Sequence, residues 1–390
     1  MARETLNSFA QQKLDDLEAK SLRRRFVDTD RLGPALAGRN GKTLISFCCN
    51  DYLNLSYHPE VIQAAQDATA RYGVGSGASR LVTGNHPLFR QLEQRLATLK
   101  QAEDCIIFGS GYLANSGIIP TLVGPKDLIF IDELAHACLF SGSQLSGARH
   151  FVFRHNDMGH LEDLLKAHRE TGGHALILTD GVFSMDGDLA PVEALAALAK
   201  AYDAWLMTDD AHGIGVLGEG RGSSFVGGRK IDVPLQMGTL SKAIGGYGGY
   251  LCADQPVIDL MRTRARTVIY STGLPPAIIA AALKALDVIE ANPEFAASPL
   301  KKANRFTQAL GLANAQSPIV PIVMGDADVT LAASALLESE GFLVTAIRPP
   351  TVPAGTARLR FTFTAEHRDE DIDRLAALVK EKILIKRAAE

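Results

Sequence analysis

Six short apolar runs, at residues 105–108, 128–131, 151–153, 175–179, 205–208 and 250–252, alternate with longer stretches of helical spacing. Such alternation specifies an α/β fold, a mostly parallel sheet wrapped by helices. Between two of the runs, residues 192–201 (VEALAALAKA) combine good helix formers with apolar residues at helical spacing. Pro191 stands at the start of this crossover helix, where a missing N–H costs nothing. An Ala-rich helical stretch at 276–289 leads into a different regime, in which 319–324, 342–347 and 359–363 separate two helical patterns. The expected organisation is an N-terminal arm (1–50) packed on a small C-terminal α+β domain (291–390), with a large domain (51–290) between them. The sequence has no internal repeat or low-complexity segment.

A length of 390 residues supports more than one core, because single cores divide beyond about 250 to 300 residues. Forty Lys and Arg against 44 Asp and Glu leave a net charge of −4, too balanced for a surface that binds nucleic acid. Five cysteines (Cys48, Cys49, Cys105, Cys138, Cys252), odd in number and without C-x-x-C spacing, predict reduced thiols in a cytoplasmic protein. Residues 1–26 mix acidic and basic side chains without an apolar block, unlike a secretion signal, and no run reaches the 18 or so apolar residues of a membrane span.

Gly213-Ile214-Gly215-Val216-Leu217-Gly218 matches the G-x-G-x-x-G of dinucleotide sites, but its context is wrong. Asp209-Asp210-Ala211-His212 separates it from the preceding strand, and more glycines, not a helix, follow it. No P-loop, H-E-x-x-H or G-x-S-x-G occurs, which leaves hydrolase or plain binding protein as weak alternatives.

A stronger signal is Gly238-Thr239-Leu240-Ser241-Lys242-Ala243, one lysine among small residues just beyond a strand. Lysines normally lie in solvent, so this segment alone decides nothing. Asp209, however, ends an apolar strand with His212 three residues later, placed to keep a heterocyclic nitrogen protonated. Phe108-Gly109-Ser110-Gly111-Tyr112 passes from a strand through glycines into a helix and offers backbone N–H groups to one phosphate. His136, just past another strand, suits stacking on a flat ring. Together these four elements make a pyridoxal 5′-phosphate site.

These motifs, with Asn50-Asp51-Tyr52-Leu53, Phe183-Ser184-Met185-Asp186-Gly187-Asp188 and Tyr270-Ser271-Thr272-Gly273-Leu274-Pro275-Pro276, resemble the α-oxoamine synthases over nearly the whole chain. The resemblance implies a fold-type I transferase with a mostly parallel seven-stranded sheet, working as a homodimer with its active site at the interface. Residues 345–360 are most similar to the branch that condenses L-alanine with a pimeloyl thioester, of CoA or acyl carrier protein, in biotin synthesis. Branches of the glycine C-acetyltransferase and 5-aminolevulinate synthase types share the same core residues.

The resemblance also implies residue roles. Lys242 would hold the cofactor covalently and move the alanine Cα proton, Asp209 would pair with the ring nitrogen, His136 would stack on the ring, and His212 would contact its phenolic oxygen. Ser110, Gly111, Tyr112 and Thr239 would bind phosphate, with Thr272 reaching in from a partner subunit, and Ser184 would touch the cofactor edge or the acyl carbonyl. Arg360 and Asn50 would hold the alanine carboxylate, Ser79 would set the choice of amino acid, and Arg23, Arg348 and Thr356 would face the acyl group. Asp180 stands where the family commonly has glutamate, and Ser241 where glycine usually precedes the lysine.

Overall fold

The computed structural model describes residues 5–385; the ends of the N-terminal arm and of the C-terminal domain expected from sequence lie outside that range. A seven-stranded sheet runs in the order Asp104–Phe108, Gly249–Ala253, Leu235–Thr239, Trp205–Asp209, Ala175–Asp180, Leu128–Asp132, Arg149–Phe153. Gly249–Ala253 is antiparallel to both neighbours, and the remaining pairs are parallel. Successive side chains face opposite sides of a strand, so Ile129 and Ile131 join one apolar cluster while Leu128 and Phe130 join another. Burial on both faces explains the continuous apolar runs, each such side chain contributing about 1.5–3 kcal/mol.

The C-terminal region forms its own antiparallel sheet, Ile319–Gly325, Ala357–Thr362 and Thr345–Ile347. Phe47, Phe306, Phe361 and Phe363 share its apolar cluster. The strands Asp30–Gly33, Leu36–Arg39 and Lys42–Ser46 form a meander that pairs with Phe342–Leu343, which ties the N-terminal segment to this region. The helix Leu6–Ala19 buries none of its residues. All five cysteines are free, and among the described residues no helix is long and apolar enough to cross a membrane.

The glycines of the G-x-G-x-x-G match serve a different purpose from nucleotide binding. A Cβ on Gly213 would lie 2.0 Å from Asp210 Oδ1, and one on nearby Gly222 would lie 1.6 Å from Oδ2. Gly215 has φ +85°, a left-handed conformation that side chains rarely adopt. Gly213 and Gly222 let the turn close around the carboxylate of Asp210, while Gly215 and Gly218 pack against Ala243 and Phe225.

Candidate active site

Phe108, Asp180, Asp209 and Thr239 stand at the carboxyl ends of their strands, where open α/β folds bind ligands. There, a cavity of about 200 Å³ brings Ser110, Gly111, Tyr112, His136, Asp209, His212, Thr239 and Lys242 together. Cys138, Asp180 and Ser241 also line it.

Lys242 sits on a tight loop closed by hydrogen bonds from Gly245 N–H to its carbonyl (2.8 Å) and from Gly246 N–H to Leu240 O (2.8 Å). Gly245 has φ +73°, and a Cβ there would lie 2.5 Å from Ser56 N, so the loop fits only without a side chain. Burial lowers the pKa of the Lys242 ammonium; Asp209 and Asp180 offset this in part, while Arg360 adds to it. The shift favours the neutral amine that nucleophilic chemistry needs.

Asp209 is aimed by two donors: Asn115 Nδ2 reaches Oδ2 at 2.7 Å, and Ala211 N–H reaches Oδ1 at 3.0 Å. His212 Nδ1 lies 2.7 Å from the buried Tyr52 hydroxyl. Burial pushes Tyr52 up to about 12, and burial with the nearby cations Lys242 and Arg360 pushes His212 well below its usual range. A protonated phenol thus faces a neutral imidazole.

His136 caps the helix Ala137–Ser146, its Nδ1 accepting from Cys138 N–H at 3.3 Å with Cys138 Sγ at 2.7 Å. Its backbone N–H donates to Asp180 Oδ1 at 3.1 Å. Burial lowers the His136 pKa, against the pull of Asp209. At the opposite end of the cavity, Ser110 caps the helix Gly111–Leu122 and takes the N–H groups of Leu113 (to Oγ, 3.1 Å) and Ala114 (to O, 2.9 Å). This leaves the N–H groups of Gly111 and Tyr112 for an anion.

Arg360 reaches over from the C-terminal sheet, donating from Nε to Ser184 O (2.5 Å) and from Nη1 to Asn50 Oδ1 (3.1 Å). Its Nη2 is buried with no hydrogen-bond partner among the described residues. Alongside, Arg358 pairs with Asp186. A second cavity, of about 760 Å³, shares His136 with the first and is lined by Ser184, Met185, Asp186, Arg24 and Thr351.

Other residues singled out from sequence lie apart from the first cavity. Ser79 and Thr272 form a β-bridge with each other. Arg23 pairs with Glu18 (3.3 Å), and its carbonyl accepts from Arg348 Nη2 (2.8 Å). Arg24, donating to Thr351 Oγ1 at 2.7 Å, is the arginine of the 23–25 run that lines the larger cavity. The Thr356 hydroxyl donates to Pro353 O at 2.8 Å. Tyr52, Asn115 and Cys138 were not singled out by sequence as site residues, although Tyr52 lies in the Asn-Asp-Tyr-Leu motif and Asn115 in the helix that follows the Gly109-Ser110-Gly111 turn.

The family Aminotransferase class I and II matches residues 42–379. A relative from Parvibaculum lavamentivorans is 71% identical over 99% of this chain and 100% of its own length. The 8-amino-7-oxononanoate synthase of Methylocella silvestris is 66% identical over 88% of this chain and 98% of its own. The chain belongs to the 8-amino-7-oxononanoate synthases. A variant of serine palmitoyltransferase from S. paucimobilis, with a bound PLP-myriocin aldimine, superposes with a TM-score of 0.90 at 28% identity, covering 99% of each chain. The fold is therefore fold-type I of the PLP-dependent transferases, and the cofactor of this synthase family is pyridoxal 5′-phosphate. The residues present fit it: a lysine with lowered pKa, a doubly anchored carboxylate, and two helix-start N–H groups line one cavity.

Proposed function

We propose that this chain condenses L-alanine with a pimeloyl thioester, releasing the free thiol carrier and CO2 and giving 8-amino-7-oxononanoate for biotin synthesis. One observation carries the reading within the family: Arg360, whose Nη2 has no hydrogen-bond partner among the described residues, is close enough to help lower the pKa of Lys242, and the lysine cavity shares His136 with a larger one. Bound pyridoxal phosphate supplies an electron sink for the carbanion formed at the alanine Cα. Asp209 would hold the ring nitrogen of the cofactor, and Asn115 and Ala211 keep that carboxylate in place. Lys242 Nζ, whose pKa burial lowers, would take the Cα proton. Arg360 Nη2, with Asn50 beside it, takes the alanine carboxylate. His136 would cover one face of the cofactor ring and borders the larger cavity, which would take the acyl chain past Ser184.

Arg23, Arg348 and Thr356 belong to the same reading as groups around the acyl path, with Arg24 in its wall. Ser79 and Thr272, joined to each other away from their own chain's cavity, fit a contribution to the site of a second copy in a homodimer. Purified protein given alanine and a panel of acyl thioesters of CoA and acyl carrier protein tests the proposal. Turnover of the pimeloyl thioester with alanine is expected; a preference for glycine with a short acyl-CoA would reassign the chain to another branch.

A further inference from the structure

His155 lines neither cavity, yet it joins the bases of two segments that wall the larger one. On one side, Asp132 ends the strand Leu128–Asp132 and leads into residues 133–137, which line that cavity. On the other, Asp188 closes the turn that carries Ser184, Met185 and Asp186, its carbonyl accepting Phe183 N–H at 3.0 Å. His155 Nδ1 lies 3.0 Å from Asp132 Oδ1, and Nε2 lies 2.7 Å from Asp188 Oδ2. An ionised carboxylate only accepts hydrogen bonds, so both ring nitrogens are donors and His155 is an imidazolium. Against burial, which lowers its pKa, the two carboxylates raise it to about 10.

The surrounding contacts converge on the same joint. Asp132 Oδ1 also accepts Leu134 N–H at 2.8 Å, and Glu133, itself in the wall, accepts His155 N–H at 2.8 Å. Asn156 N–H donates to Asp132 Oδ2 at 2.9 Å, and Asn156 Nδ2 donates to Asp188 Oδ2 at 3.1 Å. The His155 ring stands at 88° to that of the buried Phe183, centroids 4.3 Å apart, one residue before Ser184. We infer that His155 is a positioning residue for the acyl thioester, fixing the spacing of the two walls without touching the substrate. The inference rests on the reading above that the larger cavity takes the acyl chain.

The test compares cofactor-loaded wild type with His155→Gln and Asp188→Asn near neutral pH. Gln presents a donor at one end and a carbonyl at the other, so one carboxylate loses its donor; Asn at 188 keeps an acceptor for the ring N–H and removes only the charge, which makes it the milder variant should the first fail to fold. KM for the pimeloyl thioester is expected to rise about tenfold in His155→Gln and less in Asp188→Asn, with kcat and the Kd of alanine, followed by cofactor absorbance, within about twofold. Discrimination between pimeloyl and shorter acyl thioesters should narrow in step. Losses shared equally by alanine and thioester would mark a general loosening of the fold and overturn the assignment, as would an unchanged thioester KM in both variants. Leu134→Trp, which fills the larger cavity from its wall, separates the two readings. If it leaves the thioester KM unchanged, the acyl chain binds elsewhere and the inference falls with that reading; if it raises KM while the His155 and Asp188 variants do not, only the role of His155 fails.

Discussion

Lys100 Nζ lies 3.0 Å from Asp210 Oδ2, and neither side chain has any exposed surface. Arg221 O at 2.5 Å and Ser224 Oγ at 3.4 Å are the other acceptors of the ammonium, while both Asp210 oxygens accept Ser223 N–H at 3.0 Å. The pair anchors the turn that begins immediately after Asp209. Lys100→Met leaves a buried carboxylate without its counter-ion and should cost about 3–5 kcal/mol of stability. Removing both charges in Lys100→Met/Asp210→Asn should recover at least half of that loss. Denaturant melts of the three proteins check this; a double variant no more stable than the single one would refute the charge argument.

His155 bridges Asp132 (Nδ1, 3.0 Å) and Asp188 (Nε2, 2.7 Å), two residues that flank the segments carrying His136 and Ser184. Burial alone would lower its pKa, but hydrogen bonds from the two carboxylates overcome this and raise it to about 10. The folded value lies above the unfolded one of about 6.5, so the stabilisation is complete below that pH and is lost as pH rises through about 10. His155→Gln should lower stability at pH 7 by about 1.5–3 kcal/mol and flatten its decline at high pH. Melting temperatures of both proteins between pH 6 and 11 test this, and parallel curves would contradict it.

Purified protein loaded with cofactor should be yellow, and borohydride should fix the cofactor to Lys242. Peptide mapping checks the position; label on Lys200 or Lys230 would end the assignment. Lys242→Ala should retain no fixed cofactor and less than about a thousandth of the activity, since it loses the covalent attachment and the proton acceptor together.

Arg360→Lys keeps the charge but cannot span Ser184, Asn50 and a bound carboxylate at once. Loss of one charge-assisted hydrogen bond predicts a fall in kcat/KM for alanine of about one to two decades. Steady-state kinetics should place most of the loss in KM for alanine and little in KM for the thioester.

Ser79→Thr adds one methyl beside the bridge to Thr272. Crowding of that size is worth about 1–3 kcal/mol, so alanine turnover relative to glycine should fall tenfold or more. An unchanged ratio would remove Ser79 from the amino-acid pocket.

Chemistry that is local in the chain was legible in the sequence. The strand ends, the small residues around Lys242 and the glycines before the helix Gly111–Leu122 each occupy a few consecutive positions, and each has a distinctive composition. The supports of the site are non-local. Tyr52 meets His212 across 160 residues, and Asn115 meets Asp209 across 94, with no pattern in either segment that names its partner. Which arginine of 23–25 lines the larger cavity depends on the direction in which an irregular loop presents successive side chains, and periodicity says nothing about that. The G-x-G-x-x-G match misleads because close packing inside the protein and close approach to a pyrophosphate both exclude a Cβ.

One guanidinium joins two bodies and has a nitrogen to spare: Arg360 fastens its own sheet to the carbonyl of Ser184 and to Asn50 while Nη2 waits for a partner. A carboxylate bound at Nη2 therefore strengthens the joint that holds the guanidinium in place, and a firm joint strengthens its hold on the carboxylate. By linkage, the factor by which a carboxylate at Nη2 would tighten the joint equals the factor by which a closed joint would favour the carboxylate over an open one, so loosening the neighbouring Arg358–Asp186 pair would weaken the amino acid by at most that factor.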